Sequence, residues 1–299
     1  MTSFGPSALD RRIDRVVSNV PSLLPGVARH LPGTLTPRVE RPVFLLGCGR
    51  SGKTVLAGVL GRHPDIALFP DEANFLWHPR LYPWRDSELR DRVPPIWVDP
   101  RAFTGGSLGA RDSHDVDALR STFGLYQRIR RRPILLNESA LLAFMIPFLE
   151  HNFDRPVIMH LVRDGRAAAS AWARRQHAAI ERRRDPYRAA GYDLSFDEVL
   201  DHCAASWDQQ VREVRRRVDE SRGSGHPVVE YRYEDFCADP GAVLAAICAR
   251  LEIDPAPVLA TDLRHIENRN RVDIGNLPAD ALARMETIMA QGLGMHGYA

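Results

Sequence analysis

Residues 42–54 read P-V-F-L-L-G-C-G-R-S-G-K-T, and the rest of the chain is best read outward from them. Pro42 to Leu46 form an apolar run long enough for a buried strand, and Val55, Leu56, Val59 and Leu60 then recur at helical spacing. Between strand and helix, Gly47, Gly49 and Gly52 permit a tight turn and leave no side chains in the way, so backbone N–H groups can surround an anion at the helix N-terminus. Arg50 and Lys53 add positive charge. The pattern Gly47-x-x-x-x-Gly52-Lys53-Thr54 satisfies the P-loop expression literally, in the strand-turn-helix setting that gives the expression its meaning. Two anions fit such a turn: an ATP or GTP phosphate tail with magnesium, or a nucleotide phosphosulfate without metal.

At 299 residues, with 44% hydrophobic and 26% charged residues, the composition is that of a globular chain with one substantial core and argues against disorder and membrane residence. Forty basic against 38 acidic residues give a net charge of +2, which carries no nucleic-acid footprint. Arginine runs at 130–132, 174–175, 182–184 and 215–217 read as solvated helix faces. Cysteines 48, 203, 237 and 248 lack metal-ligand spacing and predict neither a zinc site nor a disulfide framework; a reducing cytoplasm is expected. Cys48 reads as a small packed residue of the turn rather than a reactive thiol. No signal-peptide pattern or bilayer-length apolar run occurs, so no stable membrane insertion is expected, and residues 8–31 read as an amphipathic part of an N-terminal arm over 1–40 that packs on the domain.

Four further strand-then-helix signals follow. Strands are expected at His63–Phe69, Pro133–Leu136, Pro156–Val162 and Val228–Tyr233, with helices at Leu141–Leu149, Arg166–Gln176 and Pro240–Leu251. Ser195 with Glu198 forms a capping box that opens a long helix to about Asp219. The alternation predicts an α/β fold, a parallel central sheet flanked by helices, as one domain over 41–299 with ligands at the carboxyl ends of the strands. Residues 70–118 and 177–195 are expected to be irregular substrate or lid segments, the stretch 83–118 above all. Trp77, Tyr82, Trp84 and Trp97 fall there and suit either an acceptor pocket or core packing. Histidines 63, 78, 151 and 160 read as structural, with His160 buried mid-strand.

After the strand V-I-M-H-L-V at 157–162 comes Arg163-Asp164-Gly165-Arg166, then a helix carrying Ser170. An arginine at the carboxyl end of a strand with a serine further along the helix suits a second phosphate. The two segments together, P-V-F-L-L-G-C-G-R-S-G-K-T and H-L-V-R-D-G-R-A-A-A-S, resemble the sulfotransferases that use 3′-phosphoadenosine 5′-phosphosulfate (PAPS), of the P-loop sulfotransferase fold and bacterial type. The resemblance runs from about residue 41 to the end and includes H-P-D-I at 63–66, V-E-Y-R-Y-E-D-F-C-A-D-P at 229–240 and the terminal L-G-M-H-G-Y. It implies that Gly49, Arg50, Ser51, Gly52, Lys53 and Thr54 hold the 5′-phosphosulfate and that Arg163 and Ser170 hold the 3′-phosphate. Tyr233 would lie near the nucleotide, and Arg269, Asn270 and Arg271 would form a basic loop over its adenosine end.

The chain departs from the family pattern at three places. Lys53 stands where the family usually has threonine, Glu138 in Asn137-Glu138-Ser139 stands where many relatives carry a lysine, and Ser170 follows Arg163 by seven positions rather than eight. The first two departures read as coupled, Lys53 supplying from the loop the charge lost at Glu138. The resemblance implies transfer of a sulfuryl group from PAPS, without metal, to a hydroxyl of a small-molecule, sugar or metabolite acceptor by in-line displacement. Glu72, in Asp71-Glu72-Ala73-Asn74-Phe75-Leu76-Trp77, matches the glutamate that serves as general base in the carbohydrate sulfotransferases, with Asp71 its neighbouring competitor. Lys53 and Arg50 would stabilise the departing phosphate oxygen. Two alternatives stand beside this reading: an ATP-dependent small-molecule kinase, which the literal P-loop suggests, and a catalytically inactive nucleotide-binding relative.

Overall fold

The computed structural model describes residues 38–70, 72–77, 113–182, 184–189, 193–221 and 228–298; most of the expected N-terminal arm, Asp71, His78, Tyr82, Trp84 and Trp97 lie outside them. Five strands, β1 (Pro42–Leu46), β2 (Ile66–Leu68), β3 (Ile134–Glu138), β4 (Val157–Val162) and β5 (Val229–Arg232), form one sheet in the order β2-β3-β1-β4-β5. Every pairing is parallel. The helices used below are α1 (Lys53–Leu60), α2 (Ser113–Arg130), α3 (Ile146–Asn152), α4 (Gly165–Glu181), α5 (Phe196–Glu220), α6 (Tyr233–Ala238), α7 (Pro240–Arg250) and α8 (Asn270–Gly275).

All five residues of β1 are buried, because both faces of a parallel sheet are covered. Val43 and Leu45 pack with Leu56 and Leu60 of α1 and Leu244 and Ile247 of α7. Phe44 and Leu46 face the other way, among Phe69, Trp77, Phe123 of α2, Leu149 of α3 and Phe153. The register then fixes where chemistry can occur. Leu45 lies opposite Glu138 and Leu46 opposite His160, while Val162 lies opposite Arg232, so β1, β3, β4 and β5 open toward one edge. Strands β2 and β3 lie on one side of β1 and β4 and β5 on the other, so the strand order switches sides at β1 and a ligand crevice forms at this edge.

The structure corrects several expected boundaries. β2 is limited to three residues, since His63 is engaged in a turn, its Nδ1 accepting from Asp65 N at 3.1 Å. β3 continues to Glu138. The helix expected over Leu141–Leu149 is a 3₁₀ segment, Ala140–Phe144, followed by α3, in which Pro147 sits in the first turn, where a missing N–H costs no hydrogen bond. Tyr233 opens α6 rather than closing β5. Residues 113–118 belong to α2 and most of 177–189 to helices, so neither expected irregular segment is irregular throughout. The capping box of Ser195 and Glu198 forms, and α5 runs to Glu220.

α5 positions the end of β4. Trp207, fully buried, donates from Nε1 to the carbonyl of Arg163 at 3.1 Å, and a Cβ on Gly165 would lie 2.7 Å from the Trp207 ring. The C-terminal tail supports β4 and β5 through Glu230, whose carboxylate accepts from His160 Nδ1 at 2.9 Å and His296 Nδ1 at 3.2 Å. Burial alone would raise the Glu230 pKa, but the hydrogen bonds from His160 and His296 outweigh it and hold the group well below the usual carboxylate range. A depressed carboxyl contributes stability above its unfolded value and loses it as pH falls toward the folded value. Glu230→Gln should therefore cost about 1–3 kcal/mol at neutral pH. In urea titrations the gap between wild type and variant should stay constant down to about pH 4.5 and shrink below it.

Candidate active site

The turn after β1 is closed from within. Ser51 N and Lys53 Nζ each donate to the carbonyl of Cys48 at 3.2 Å, and Lys53 is only 3% exposed. Gly52 precedes α1 at φ 96°, and a Cβ there would lie 2.7 Å from Cδ2 of Tyr233. Arg50 adopts φ 66°, a left-handed conformation that an L side chain rarely takes. The hydroxyl of Ser51 is buried without a hydrogen-bond partner. An orphaned donor, the free N–H groups of the first helical turn and a glycine with no room for a side chain together suit an anion's oxygen atoms.

A cavity of about 770 Å³ opens beside this turn, a size that suits a nucleotide-sized ligand. Gly49 to Thr54 form one side of it, with Arg163 and Tyr233 at the ends of the strands beyond, and His265, Ile266, Glu267 and Arg269 make the facing wall. Glu72 and Glu138 line it as well. Glu72 is held there because Ala73 and Trp77, directly after it, are fully buried. The structure thus brings together Gly49, Arg50, Ser51, Gly52, Lys53, Thr54, Glu72, Arg163, Tyr233 and Arg269 of the expected site.

Ser170 and Arg271 are not brought to the cavity. Ser170 is 0% exposed and donates its hydroxyl proton to the backbone carbonyl of Asp273 at 2.8 Å, so it supports the wall from behind. Arg271 is exposed on α8. Trp77 lies in the core, its Nε1 donating to Asn137 Oδ1 at 2.9 Å, which answers the choice between pocket and core in favour of the core. The arginine runs are only partly solvated faces. Arg132 donates to the carbonyls of Gly61 and Ile66, Arg174 pairs with Asp273, and Arg175 lines the cavity, as does Trp172. Position along α4, one face of which packs on α5, is the signal that separates Trp172 from surface residues, whereas Arg175 is an exposed residue that also reaches the cavity. Asp273 had no local signal, because its partners lie about a hundred residues away.

Tyr233 joins three parts of the site. Its hydroxyl donates to the carbonyl of Glu267 at 2.8 Å and its ring lies 4.5 Å from the Arg163 guanidinium carbon. Burial first, and a hydrogen bond to Cys237 second, raise its pKa. Arg163 is 4% exposed and donates Nε to Asn270 Oδ1 at 2.8 Å, Nη1 to the Arg50 carbonyl at 2.8 Å and Nη2 to Asp273 Oδ2 at 2.7 Å.

The electrostatic field is strongly positive on one side. Burial and the neighbouring Arg175 lower the pKa of Arg50, with Arg163 and Arg269 adding to the effect and Asp273 opposing it. On the other side burial raises the pKa of Glu138, Lys53 lowers it, and Glu72 raises it again. Thr54 Oγ1 donates to Glu138 Oε2 at 3.4 Å. Burial pushes the Cys48 thiol up to about 12 against the pull of Lys53, which makes it a packed residue and not a nucleophile. Geometry at the turn gives a paired prediction. Gly52→Ala should cost about 1–3 kcal/mol in chemical denaturation, through strain and contact with Tyr233. Gly58→Ala in α1, where a Cβ meets nothing, should instead gain about 0.5–1 kcal/mol.

Comparison with known proteins bears on the family and the fold. A curated relative, a candidate protein-tyrosine sulfotransferase of Caenorhabditis briggsae, is 22% identical over 214 residues, covering 72% of this chain and 66% of that protein, just under two thirds of its length. Sulfotransferase STF9 from Mycobacterium avium superposes with a TM-score of 0.64 at 16% identity, over 98% of this chain and 87% of that one. Sulfotransferase STF1 from Mycobacterium tuberculosis H37Rv gives 0.58 at 14% identity, over 95% and 85%. The sulfotransferase domain of the Synechococcus PCC 7002 olefin synthase gives 0.51 at 20% identity, over 88% and 96%. The family model of the sulfotransferases matches residues 42–257, from β1 through the helical turn after α7, and the chain belongs to the sulfotransferase family.

Proposed function

We propose that the protein transfers a sulfuryl group from PAPS to a hydroxyl of a small-molecule, sugar or metabolite acceptor, in the cytoplasm and without a metal ion. The observation that carries this reading is the polarity of the cavity. Lys53 at the turn forms one cationic centre, beside the carboxyl groups of Glu72 and Glu138, and Arg163 forms the second, with Arg50 within electrostatic reach of it and of Arg175 and Arg269. Two separated cationic centres suit the two phosphate groups of a doubly phosphorylated adenosine carrier. The orphaned Ser51 hydroxyl suits an oxygen of its 5′-phosphosulfate.

In this reading Glu72 takes the proton of the acceptor hydroxyl as its oxygen bonds to sulfur. The S–O bond to the phosphate breaks, and its electron pair stays on a phosphate oxygen that Lys53 and Arg50 stabilise. Arg163 holds the 3′-phosphate, with Ser170 buttressing the wall behind it, and Tyr233 and Arg269 flank the adenosine. Among the described residues no helix is long and apolar enough to cross a membrane.

One observation favours a second reading. Lys53, Thr54 and a carboxylate at the end of the neighbouring strand, Glu138, form the set that holds a magnesium-bound phosphate tail in P-loop kinases. Against it, β4 ends in Arg163, and the following Asp164 is committed to capping α4 and to an ion pair with Arg166 at 2.9 Å. Calorimetry without magnesium should show adenosine 3′,5′-bisphosphate binding equally to wild type and Glu72→Gln, while sulfuryl transfer in the variant falls about 10²–10⁴-fold. Full turnover in the variant would remove Glu72 from the mechanism. A preference for magnesium ATP would favour the kinase, and binding without turnover on any hydroxyl would favour the inactive relative.

The exchange of charge between positions 53 and 138 can be tested separately. Lys53→Thr should lower kcat/KM by about 10²–10³. Adding Glu138→Lys should restore a measurable part of that loss, whereas a double variant no better than the single one means the two positions are not coupled.

A further inference from the structure

The second cationic centre already holds an anion, and that anion is part of the chain. Asp273, on α8, lines the cavity with a side chain 12% exposed, and its carboxylate is gripped one oxygen per guanidinium. Oδ2 accepts from Arg163 at 2.7 Å and Oδ1 from Arg174 at 2.6 Å. The grip extends to the backbone, where the Asp273 carbonyl accepts from Ser170 Oγ at 2.8 Å and from Arg174 at 3.2 Å. Arg163 and Ser170 are the two residues that the family resemblance assigns to the 3′-phosphate, so the carboxylate occupies the centre where that phosphate would bind.

We propose that Asp273 is a built-in stand-in for the 3′-phosphate, which gives up Arg163 when the donor enters and thereby sets how strongly the enzyme separates 3′-phosphorylated adenosine nucleotides from those without that group. This rests on the PAPS reading. Without an anion, the buried Arg163 guanidinium would lie uncompensated beside the half-buried Arg174, and Asp273 supplies the compensation. A phosphate at the same place carries more charge and would repel the carboxylate, so the two compete for Arg163. A turn of the Asp273 side chain frees the carboxylate, while the bonds to its backbone carbonyl can stay. Part of the donor's interaction with Arg163 is spent in displacing this occupant, and that part is absent for a nucleotide lacking the 3′-phosphate.

The test is calorimetry on the full chain, wild type and Asp273→Asn, with adenosine 3′,5′-bisphosphate and adenosine 5′-monophosphate. The variant should bind the bisphosphate about tenfold more tightly and the monophosphate within about twofold of wild type. It should also melt at a lower temperature when unliganded and show a larger upward shift on adding bisphosphate, which a purely structural role for Asp273 would not produce. If wild type prefers the bisphosphate but Asp273→Asn binds it equally or more weakly, the stand-in role is overturned and the PAPS reading stands. If wild type shows no preference for the bisphosphate, the PAPS reading fails and takes this inference with it. A wild-type complex with the bisphosphate decides the matter without the variant: the Asp273 carboxylate should have left Arg163, and retention of that contact beside the bound 3′-phosphate overturns the proposal.

Discussion

A guanidinium buried at the end of a central strand is the constraint around which this site is organised. A buried charge such as the Arg163 guanidinium must be paired and hydrogen-bonded or the fold suffers by several kcal/mol. Its partners come from separate parts of the chain: the Arg50 carbonyl from the turn after β1, Asn270 and Asp273 from α8, and the Tyr233 ring from α6. Trp207 of α5 holds the Arg163 carbonyl from behind. One cation thus makes the glycine turn, the ends of β4 and β5 and the C-terminal wall of the cavity depend on one another. Loss of any single partner from such a pair typically costs about 3–5 kcal/mol, because the remaining charge is left exposed to an apolar surrounding.

The C-terminal segments are drawn into the same arrangement. Glu234 accepts from Asp164 N, Asn270 Nδ2 and the Tyr298 hydroxyl, at 3.1, 2.7 and 2.7 Å. Arg232 lies over the Tyr298 ring at 4.4 Å and donates to the His296 carbonyl at 2.7 Å. The R-Y-E run at 232–234 therefore distributes its three side chains between the tail and the cavity: Arg232 to the tail, Tyr233 to the cavity, Glu234 to both α8 and the tail. That division explains why this run at the end of an edge strand is only partly solvated, and it couples the placement of α8, which carries Asp273, to the tail.

The parallel strands, the glycine turn and the capping box were legible in the sequence because each rests on neighbours a few residues apart. Apolar runs of four to six residues bounded by turn signals read as strands, and Gly47, Gly49 and Gly52 read as a turn, whatever the rest of the chain does. Misreadings gather where a polar residue finds a partner across the fold. β3 looked finished at Leu136, yet Asn137 and Glu138 extend it, since Trp77 donates to one and Thr54 to the other. Arg132 and Arg174 looked like surface charge, yet the carbonyls after α1 and the carboxylate of Asp273 give them buried acceptors. Ser170 was expected to face a phosphate together with Arg163, but its hydroxyl meets the Asp273 carbonyl, because helical spacing fixes a face and not the identity of what that face meets. The family resemblance supplied most of the list of cavity residues, and Asp273 was not on it.

The positions that depart from the family pattern acquire a common explanation from the electrostatics. Glu138 is buried, which disfavours its charged form, and Glu72 disfavours it further, while Lys53 favours it. Two carboxylates in one cavity can both be ionised only if a cation lies among them, since like charges in a partly buried site otherwise force one to keep its proton. Lys53, 3% exposed and bonded to the Cys48 carbonyl, cannot move away to solvent and so acts as a fixed charge. A threonine at position 53 would remove the charge that favours the ionised form of Glu138 beside Glu72, and a lysine at position 138 alone would place a second ammonium group beside Lys53. On the proposed coupling each departure offsets the other, and together they keep one positive charge at the end of the cavity that Glu72 and Glu138 line.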